Sequence, residues 1–316
     1  MFTLIKRLER RWLPYVANTL DSLIARARRQ GKHRFLIVWN YGLGDTALWA
    51  EPLCVRIRRR LPQAELTFLT RDDNADTFKL VRDVNVIADP LLKRKQEIDL
   101  EANLNRLGHS RDEFDYIIDQ RYSTRWLYWA YKKHTPRLVW YDAWDGFSDK
   151  FNLKHHAYIG IHIDSETGQF YSWNKNWSEQ NWLSLIEVIT TIYKKEIVLF
   201  GVRKDNHYII PGVVDLRGKT SILDVLSIIK NRCEFLFAPD SGILSLAYYL
   251  DIPFELKIIS LWCSFRFEKW YDHGMGILML GPSPNPHLSH AFFMKKDINH
   301  IHVDEVIERF DRMLHP

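Results

Sequence analysis

The sequence predicts an α/β protein built from two doubly wound domains, and three observations support this. Short apolar strands alternate with helical segments from residue 34 onward, which is the pattern of parallel α/β layers. The same alternation begins again near residue 157, after a polar and aromatic loop. A chain of 316 residues with 46% apolar content is also long enough for two cores of about 150 residues each.

The first half of the chain, 34–155, is predicted to form the first domain. Its helix is expected from about Thr46 to Arg60, and its strands at 34–39, 65–70, 114–119 and 136–141. The loop "DAWDGFSDKFNLKHH", at 142–156, is the candidate linker to the next domain.

The second domain is predicted over 156–302. Strands are expected at 157–163, 196–201, 234–238 and 257–262, with helices at about 178–194, at about 222–230 and after residue 238. The last helix, within 303–316, is a candidate to pack back on the first domain. Two such domains facing each other would bind ligands in the cleft at the carboxyl ends of their strands.

Charge is distributed very unevenly along the chain. Residues 1–34 hold nine of the 44 basic residues and two of the 39 acidic residues, so the remainder has 35 basic and 37 acidic residues. The body of the protein therefore lacks the clustered cations that nucleic-acid binding needs. The extension 1–33 is basic and amphipathic, and it is expected either to lie on an anionic membrane surface or to pack on its own domain.

Cysteine content and hydropathy favour a cytoplasmic location. Cys54, Cys233 and Cys263 are far apart, so they predict neither a disulfide framework nor a cysteine zinc site. Neither a membrane-spanning apolar run nor a secretory signal is recognisable in the sequence. We therefore expect a soluble or peripheral protein.

The turn "NYGLGD" follows the first strand and opens the first helix. Gly42 and Gly44 allow a tight turn, and Asp45 falls at the expected helix start, facing the cleft. A carboxylate there is a candidate general base, although Asp is also a preferred N-cap residue. The loop lacks the Lys-Ser/Thr of a P-loop, which disfavours a Walker-type ATPase.

A second strand-to-helix junction, "FAPDSGILSLAYYL", contains Asp240, Ser241 and Gly242. Free N–H groups at a helix start bind phosphate well, and glycine permits close approach, but Asp-Ser is also an ordinary N-cap pair. In "SWNKNWSEQNW", Lys175 is a candidate point cation for phosphate, or else a solvated loop lysine.

These segments together resemble glycosyltransferase family nine, the ADP-heptose:lipopolysaccharide heptosyltransferases and their relatives. The resemblance covers about 34–290 and rests on the glycine turn with Asp45 and Pro52, "FDYIIDQRYSTRW", "KNWSEQNW", "VLFGVRKDN", "DLRGKTSILDVLSIIKNR" and "APDSGILSLAYYLDIP". The basic extension lies outside it.

The resemblance implies a GT-B fold of two facing Rossmann-like domains, with acceptor in the first and nucleotide sugar in the second. It implies that Asp45 deprotonates an acceptor hydroxyl, that transfer inverts the anomeric carbon, and that no metal or other cofactor takes part. Lys175 matches a phosphate-contacting lysine, and Asp240, Ser241 and Gly242 match the donor diphosphate segment. An ADP-heptose donor, a lipopolysaccharide acceptor and the inner membrane surface are the implied partners.

Several features depart from the family or stay open. Ser245 stands at the donor site where many members have histidine. A neutral hydroxyl cannot offer the charge of an imidazole, so this departure bears on the donor sugar, on phosphate contacts and on activity. Gly44, Arg121 and Arg125 are weaker acceptor candidates, whereas most of "RIRRR" at 56–60 is expected to be solvated. "HLSH" and "HH" lack carboxylates at metal-ligand spacing. A nucleotide-sugar epimerase or hydrolase, or a non-catalytic binding relative, remains the alternative.

Overall fold

The computed structural model describes residues 19–94, 96–118, 134–154, 157–165, 174–202, 209–263 and 280–316. The chain forms two compact units, the first ending at Val139 and the second beginning at Trp140. Each unit is built on one parallel sheet accompanied by helices. The predicted α/β class with two doubly wound domains is therefore confirmed.

The first unit has a four-stranded sheet in the order β3-β2-β1-β4. Its central strand β1, "RFLIVW", is buried at every residue after Arg34, as expected for a parallel strand covered on both faces. Its elements are α1 (Thr19–Arg29), β1 (Arg34–Trp39), a helical turn (Leu43–Asp45), a π-helical turn (Thr46–Ala50), α2 (Glu51–Arg60), β2 (Glu65–Arg71), β3 (Val84–Asp89), α3 (Leu100–Arg106) and β4 (Tyr116–Ile118).

The second unit has a six-stranded parallel sheet in the order β10-β9-β8-β5-β6-β7. Counted within the unit, this is the Rossmann order 3-2-1-4-5-6 in reverse, with β5 as its first strand. Its elements are a 3₁₀-helical segment (Asp142–Phe151), β5 (Tyr158–His162), α4 (Glu179–Thr191), β6 (Ile197–Phe200), β7 (Val213–Asp215), α5 (Ile222–Arg232), β8 (Cys233–Pro239), α6 (Gly242–Tyr248), β9 (Leu256–Cys263), β10 (Leu288–Lys295) and α7 (Val303–Leu314).

The C-terminal helix α7 packs in the core of the second unit, to which the chain division also assigns it. Val306 and Phe310 are fully buried in the core formed by β5, β8, β9 and α4. The Phe310 ring meets that of Tyr193 edge to face, with 5.0 Å between centroids. The apolar face of α7 is therefore buried against the core of the second unit.

The boundary between the units lies near residue 139, earlier than the predicted 155. The predicted linker contains the 3₁₀-helical segment Asp142–Phe151, which is bonded to α5. Lys230 Nζ donates to Asp145 Oδ1 at 2.8 Å, and Ser148 N donates to Ser227 Oγ at 3.0 Å. These polar contacts make the segment part of the second unit.

The described part of the basic extension packs on its own domain. Leu20, Ile24 and Ala27 of α1 are buried. Asp21 of α1 forms a buried ion pair with Arg56 of α2, in which Arg56 Nε donates to Asp21 Oδ1 at 2.9 Å. Residues 1–18 lie outside the described residues. These contacts therefore do not test whether the extension 1–33 binds a membrane surface.

Other elements differ in detail from the sequence predictions. The predicted strand at 136–141 is reduced to a single bridge residue, Leu138, next to a hydrogen bond from Val139 N to Leu80 O at 2.8 Å. The first helix begins earlier than Thr46, because residues Leu43–Asp45 are already helical. Strands β3, β7 and β10 are absent from the sequence prediction. The reason is that none of them is a fully buried apolar run, because β7 is short and β3 and β10 are only partly buried.

Candidate functional site

The turn after β1 places Asp45 at the carboxyl edge of the first sheet. Strand β1 lies between β2 and β4, where the strand order changes direction and where doubly wound folds bind ligands. The Asp45 carboxylate accepts a hydrogen bond from the N–H of Gly42, with 2.8 Å between Oδ2 and N. A Cβ on Gly42 would lie 3.0 Å from Arg94 Nη2 and 3.3 Å from Asp45 Oδ2. Two opposite charges therefore lie against this glycine turn.

A buried polar network holds the turn in place. Arg71 at the end of β2 donates from Nη1 to Asn40 Oδ1 at 3.1 Å. Asn40 in turn donates from Nδ2 to the carbonyl oxygens of Lys93 at 3.0 Å and Gln96 at 3.2 Å. The loop after β3 is thereby fastened to the turn after β1, and this brings Arg94 beside Asp45. Sequence reasoning missed this network, because its members come from three separate strand ends.

The helix that follows Asp45 starts with an unusual turn. Thr46–Ala50 is π-helical, a rare conformation that is frequent at functional sites. The Thr46 hydroxyl lies 2.8 Å from the Thr77 hydroxyl, and both side chains are buried. Asp45 ends the short helical turn and precedes the π-helical turn as its N-cap residue, without a side-chain hydrogen bond to that second turn. Its carboxylate instead accepts from the N–H of Gly42, the N-cap of the first turn, which is a capping contact. Gly44 lies within the same turn. The structure places a carboxylate at the helix start, as expected from the sequence. This position is compatible with both capping and catalysis.

A second buried pair lies farther along the same helix. Glu51 Oε2 is 2.7 Å from His134 Nε2, and both side chains are almost fully buried. Burial raises the pKa of Glu51, and the hydrogen bond with His134 opposes that rise. The pair ties α2 to the segment that precedes the domain boundary.

In the second unit, Lys175 and Asp240 form an ion pair at the carboxyl edge of the sheet. Asp240 follows β8 directly, and its N–H donates to Leu261 O at 3.1 Å. The side chains of Lys175 and Asp240 are 11% and 22% exposed, so the pair is largely withdrawn from water. The predicted cation and the predicted Asp-Ser-Gly segment are thus brought together in space. Lys175 is not a solvated loop lysine.

The next residues make a local cap. The Ser241 hydroxyl accepts a hydrogen bond from Leu244 N at 3.2 Å, which is the N-cap arrangement weighed in the sequence. The Ser245 hydroxyl donates to the carbonyl oxygen of Ser241 at 3.3 Å and is buried. Gly242 opens the seven-residue helix α6. Both hydroxyls therefore serve the helix in which they lie.

A buried arginine near the same edge was missed by sequence reasoning. Arg217 is fully buried and donates to both carboxylate oxygens of Asp215, from Nε at 2.9 Å and from Nη2 at 2.8 Å. Burial favours a higher pKa for Asp215, but the hydrogen bonds from Arg217 hold that pKa below its ordinary value. A Cβ on Gly201 would meet Asp164 Oδ1 at 3.1 Å and Arg217 Cγ at 3.4 Å. Charged groups therefore surround the ends of β5, β6 and β7.

Some predicted site residues are not reached by the structure. Arg121, Arg125, His155 and His156 lie outside the described residues. Within the described ranges, no group of three or more His, Cys, Asp or Glu side chains is arranged to hold a metal ion. His290 of "HLSH" instead pairs with Ser260, with 2.7 Å between Nε2 and Oγ.

A search of the described helices for membrane-crossing segments found none that is both long enough and apolar enough to span a bilayer.

Comparison with known proteins finds relatives at the level of structure alone. No protein-family model and no curated protein matches the sequence. ADP-heptose lipopolysaccharide heptosyltransferase II of E. coli aligns with a TM-score of 0.61 and 16% identity, over 89% of this chain and 98% of its own. A family 9 glycosyltransferase from Veillonella parvula aligns with a TM-score of 0.60 and 13% identity, over 89% and 97% of the two chains.

A third solved structure is the E. coli heptosyltransferase WaaC with ADP-2-deoxy-2-fluoro heptose. It aligns with a TM-score of 0.52 and 14% identity, over 88% of this chain and 99% of WaaC. At such identities the similarity is one of fold. The resemblance to heptosyltransferases that the motifs indicate is confirmed at that level, and so is the predicted GT-B class.

Proposed function

We propose that this protein is an inverting glycosyltransferase that transfers a heptose, or a similar sugar, from an ADP-sugar to the inner core of lipopolysaccharide. The observation that carries the proposal is the carboxylate of Asp45, held at the carboxyl edge of the first sheet in a fold shared with heptosyltransferases. ADP-heptose and lipopolysaccharide, after which the structurally similar heptosyltransferase II is named, are the proposed donor and acceptor.

Asp45 is the proposed general base. Its carboxylate would take the proton from an acceptor hydroxyl, whose oxygen then attacks the anomeric carbon of the donor while the bond to the nucleoside diphosphate breaks. The hydrogen bond from Gly42 N orients the carboxylate, and the guanidinium of Arg94 lies beside the same turn. A positioned base contributes about 10²- to 10⁴-fold in rate.

The proposed donor site is in the second unit, around Lys175 and Asp240–Gly242. The departing diphosphate gains negative charge, and an ammonium group beside it would stabilise that charge. Lys175 is held there by Asp240, so it is positioned before any ligand arrives. We keep the proposal that transfer proceeds without a metal ion.

Replacing Asp45 with Asn tests the central assignment. We expect sugar transfer to fall by about 100- to 10,000-fold, because the amide cannot accept the proton. ADP binding should be unchanged, since Asp45 belongs to the other unit. The matched control is Asp72→Asn, an exposed carboxylate just after β2, which should keep full activity. Equal transfer rates for wild type and Asp45→Asn would remove Asp45 as the base.

Two alternatives are separated by the same assay. An epimerase or hydrolase would consume an ADP-sugar when no acceptor is present. A non-catalytic relative would bind the nucleotide sugar and turn over with none of a panel of acceptors. One specific observation favours the non-catalytic relative. The Ser245 hydroxyl donates a hydrogen bond within its own helix and cannot substitute for an imidazole.

The location at the cytoplasmic face of the inner membrane is part of the proposal. Its support is the exposed basic side chains that α1 and α2 present together, Arg26, Arg28, Arg29, Arg59 and Arg60. Co-sedimentation with anionic vesicles, and its absence with neutral ones, would test it.

A further inference from the structure

His162, the last residue of β5, has a buried ring nitrogen, Nδ1, that pairs with none of the described residues. The residue is 7% exposed. Among the described residues, none forms a hydrogen bond with this buried atom. A buried polar atom left unpaired costs about 1–3 kcal/mol, so such atoms are few in native structures. An unpaired nitrogen at this position is therefore a candidate to bind a ligand.

The position of His162 is where a doubly wound fold binds phosphates. Strand β5 is the first strand of its sheet in the Rossmann sense, and it lies between β6 and β8, where the strand order reverses. In such folds the diphosphate lies just beyond the carboxyl end of this strand. His162 is the residue at that end.

The charged groups of the proposed donor site are tied to the same strand end. Ser165, three residues after His162, donates its N–H to Asn176 Oδ1 at 2.6 Å. The residue before Asn176 is Lys175, which pairs with Asp240. A hydrogen bond and an ion pair therefore connect the end of β5, through Asn176 and Lys175, to the end of β8.

His162 does not belong to the apolar core on the other side of the strand. Ile159, Ile161 and Ile163 pack in the core with α4 and α7. Side chains alternate along a strand, so His162 is on the opposite face. Burial lowers the pKa of His162 to about 4, so the ring is neutral at pH 7 and offers one N–H donor and one acceptor.

We propose that His162 is a donor-contacting residue whose Nδ1 forms a hydrogen bond with the nucleoside diphosphate portion of the nucleotide sugar. This inference rests on the proposed function. The two residues have different roles because they differ in charge. The ammonium group of Lys175 balances the phosphate charge, and the neutral imidazole of His162 adds one directional hydrogen bond. An apolar residue at 162 would pack more favourably and would lose that bond.

ADP binding measured by calorimetry tests the proposal with three substitutions at one position. His162→Leu removes both ring nitrogens and should weaken ADP binding by about 3- to 10-fold, the value of one neutral hydrogen bond. His162→Asn places an amide where Nδ1 was and should stay within about twofold of wild type. His162→Gln places its amide near the position of Nε2 and should behave like Leu.

The ligand-free melting temperature separates binding from folding. His162→Leu should melt at the same temperature as wild type or higher, because it removes an unpaired buried polar atom. The matched control is Trp182→Phe, which removes another buried ring nitrogen that has no partner among the described residues. Trp182 lies on α4 and packs in the apolar core on the other face of the sheet. The ADP affinity of this variant should equal that of wild type.

Each outcome bears on the inference. If His162→Leu binds ADP as wild type does, the ring nitrogen contacts only solvent or structure and the inference is overturned, while the proposed function stands. Loss of ADP binding with a lowered melting temperature in His162→Leu and His162→Asn alike would show a structural role and would also overturn it. If wild type binds none of ADP, GDP and UDP, the proposed function fails, and the inference fails with it.

Discussion

Three ion pairs show what single residues contribute to this protein. Asp21–Arg56, Lys175–Asp240 and Asp215–Arg217 are all largely buried. Withdrawing two charges from water is costly, so a buried pair is weak support for stability by itself. Two of the three lie at the carboxyl edge of the second sheet, where an anionic ligand would bind. We interpret that placement as preparation of the proposed donor site.

Lys175→Met should weaken ADP binding by about 10- to 100-fold, because a hydrogen bond to a charged group contributes about 1.5–3 kcal/mol. The matched control is Lys195→Met. Lys195 also belongs to the second unit and pairs with Glu234 at 3.2 Å, but it precedes β6 and so lies at the amino end of the sheet. Calorimetry should show wild-type affinity for the control. Equal losses in both variants would indicate a general effect of net charge.

His290 should make the protein less stable in mild acid. Burial lowers its pKa to about 4, against an ordinary value of about 6.5, so the unfolded chain binds a proton that the folded protein does not. The stability from this group is present above about pH 6.5 and is lost as the pH falls toward 4. His290→Gln should narrow the difference in urea midpoint between pH 7 and pH 5. The exposed His315→Gln should leave that difference unchanged, and identical behaviour of the two would contradict the assignment.

Among the elements, α1 and the helical segment after β1 are the least ordinary. Helix α1 precedes the first strand and is fastened to α2 by the buried pair Asp21–Arg56. The carboxylate of Asp21 also lies 3.6 Å from Arg60 Nε. Since α2 continues directly from the π-helical turn after Asp45, α1 supports the helix on which the proposed base depends.

Arg56→Ala should lower the free energy of unfolding by about 3–5 kcal/mol, because it leaves Asp21 buried without its main partner. Arg60→Ala, which removes a side chain that is 51% exposed, should cost less than about 1 kcal/mol. The double variant Asp21→Leu/Arg56→Met should recover most of the loss, since no uncompensated charge remains. Urea unfolding measures all three. A loss in the double variant as large as in Arg56→Ala would mean that packing, not charge, is responsible.

At the scale of the whole molecule, the chain passes from one unit to the other within a few residues. Val139 N is bonded to Leu80 of the first unit, whereas Trp140 Nε1 donates to Asp145 Oδ1 of the second at 2.8 Å. Asp145 also receives Lys230 Nζ. Burial favours a higher pKa for Asp145, but the hydrogen bonds from Lys230 and Trp140 hold it below its ordinary value. The segment after residue 139 is thus an integral part of the second unit.

Two fragments test this boundary. A fragment of residues 140–316 should fold cooperatively and should unfold at a higher urea concentration than one of 157–316. The shorter fragment lacks the 3₁₀-helical segment and exposes the partners of Asp145 and Ser148 on α5. Equal midpoints would place the boundary at the predicted 155.

Much of the fold could be predicted from the sequence, because strands such as β1 and β8 are continuous apolar runs that fit only a buried parallel sheet. The candidate residues Asp45, Lys175 and Asp240–Gly242 were also identified from sequence, since each lies at a junction where glycine or polar residues interrupt the apolar pattern. Strands with partly buried residues, such as β10, gave too weak a pattern to identify.

The sequence by itself therefore determined two things. These are the alternation of strands with helices, and the positions of the junctions at which strands end. Only the tertiary structure decided that Arg56 is buried against Asp21, that α7 packs in the second unit and that Lys175 meets Asp240. It also decided that Nδ1 of His162 pairs with none of the described residues. The physical reason is that local pattern follows from the burial of one face of one element. An ion pair, a docked helix or an unpaired nitrogen depends on residues far apart in the chain, and only folding brings these together.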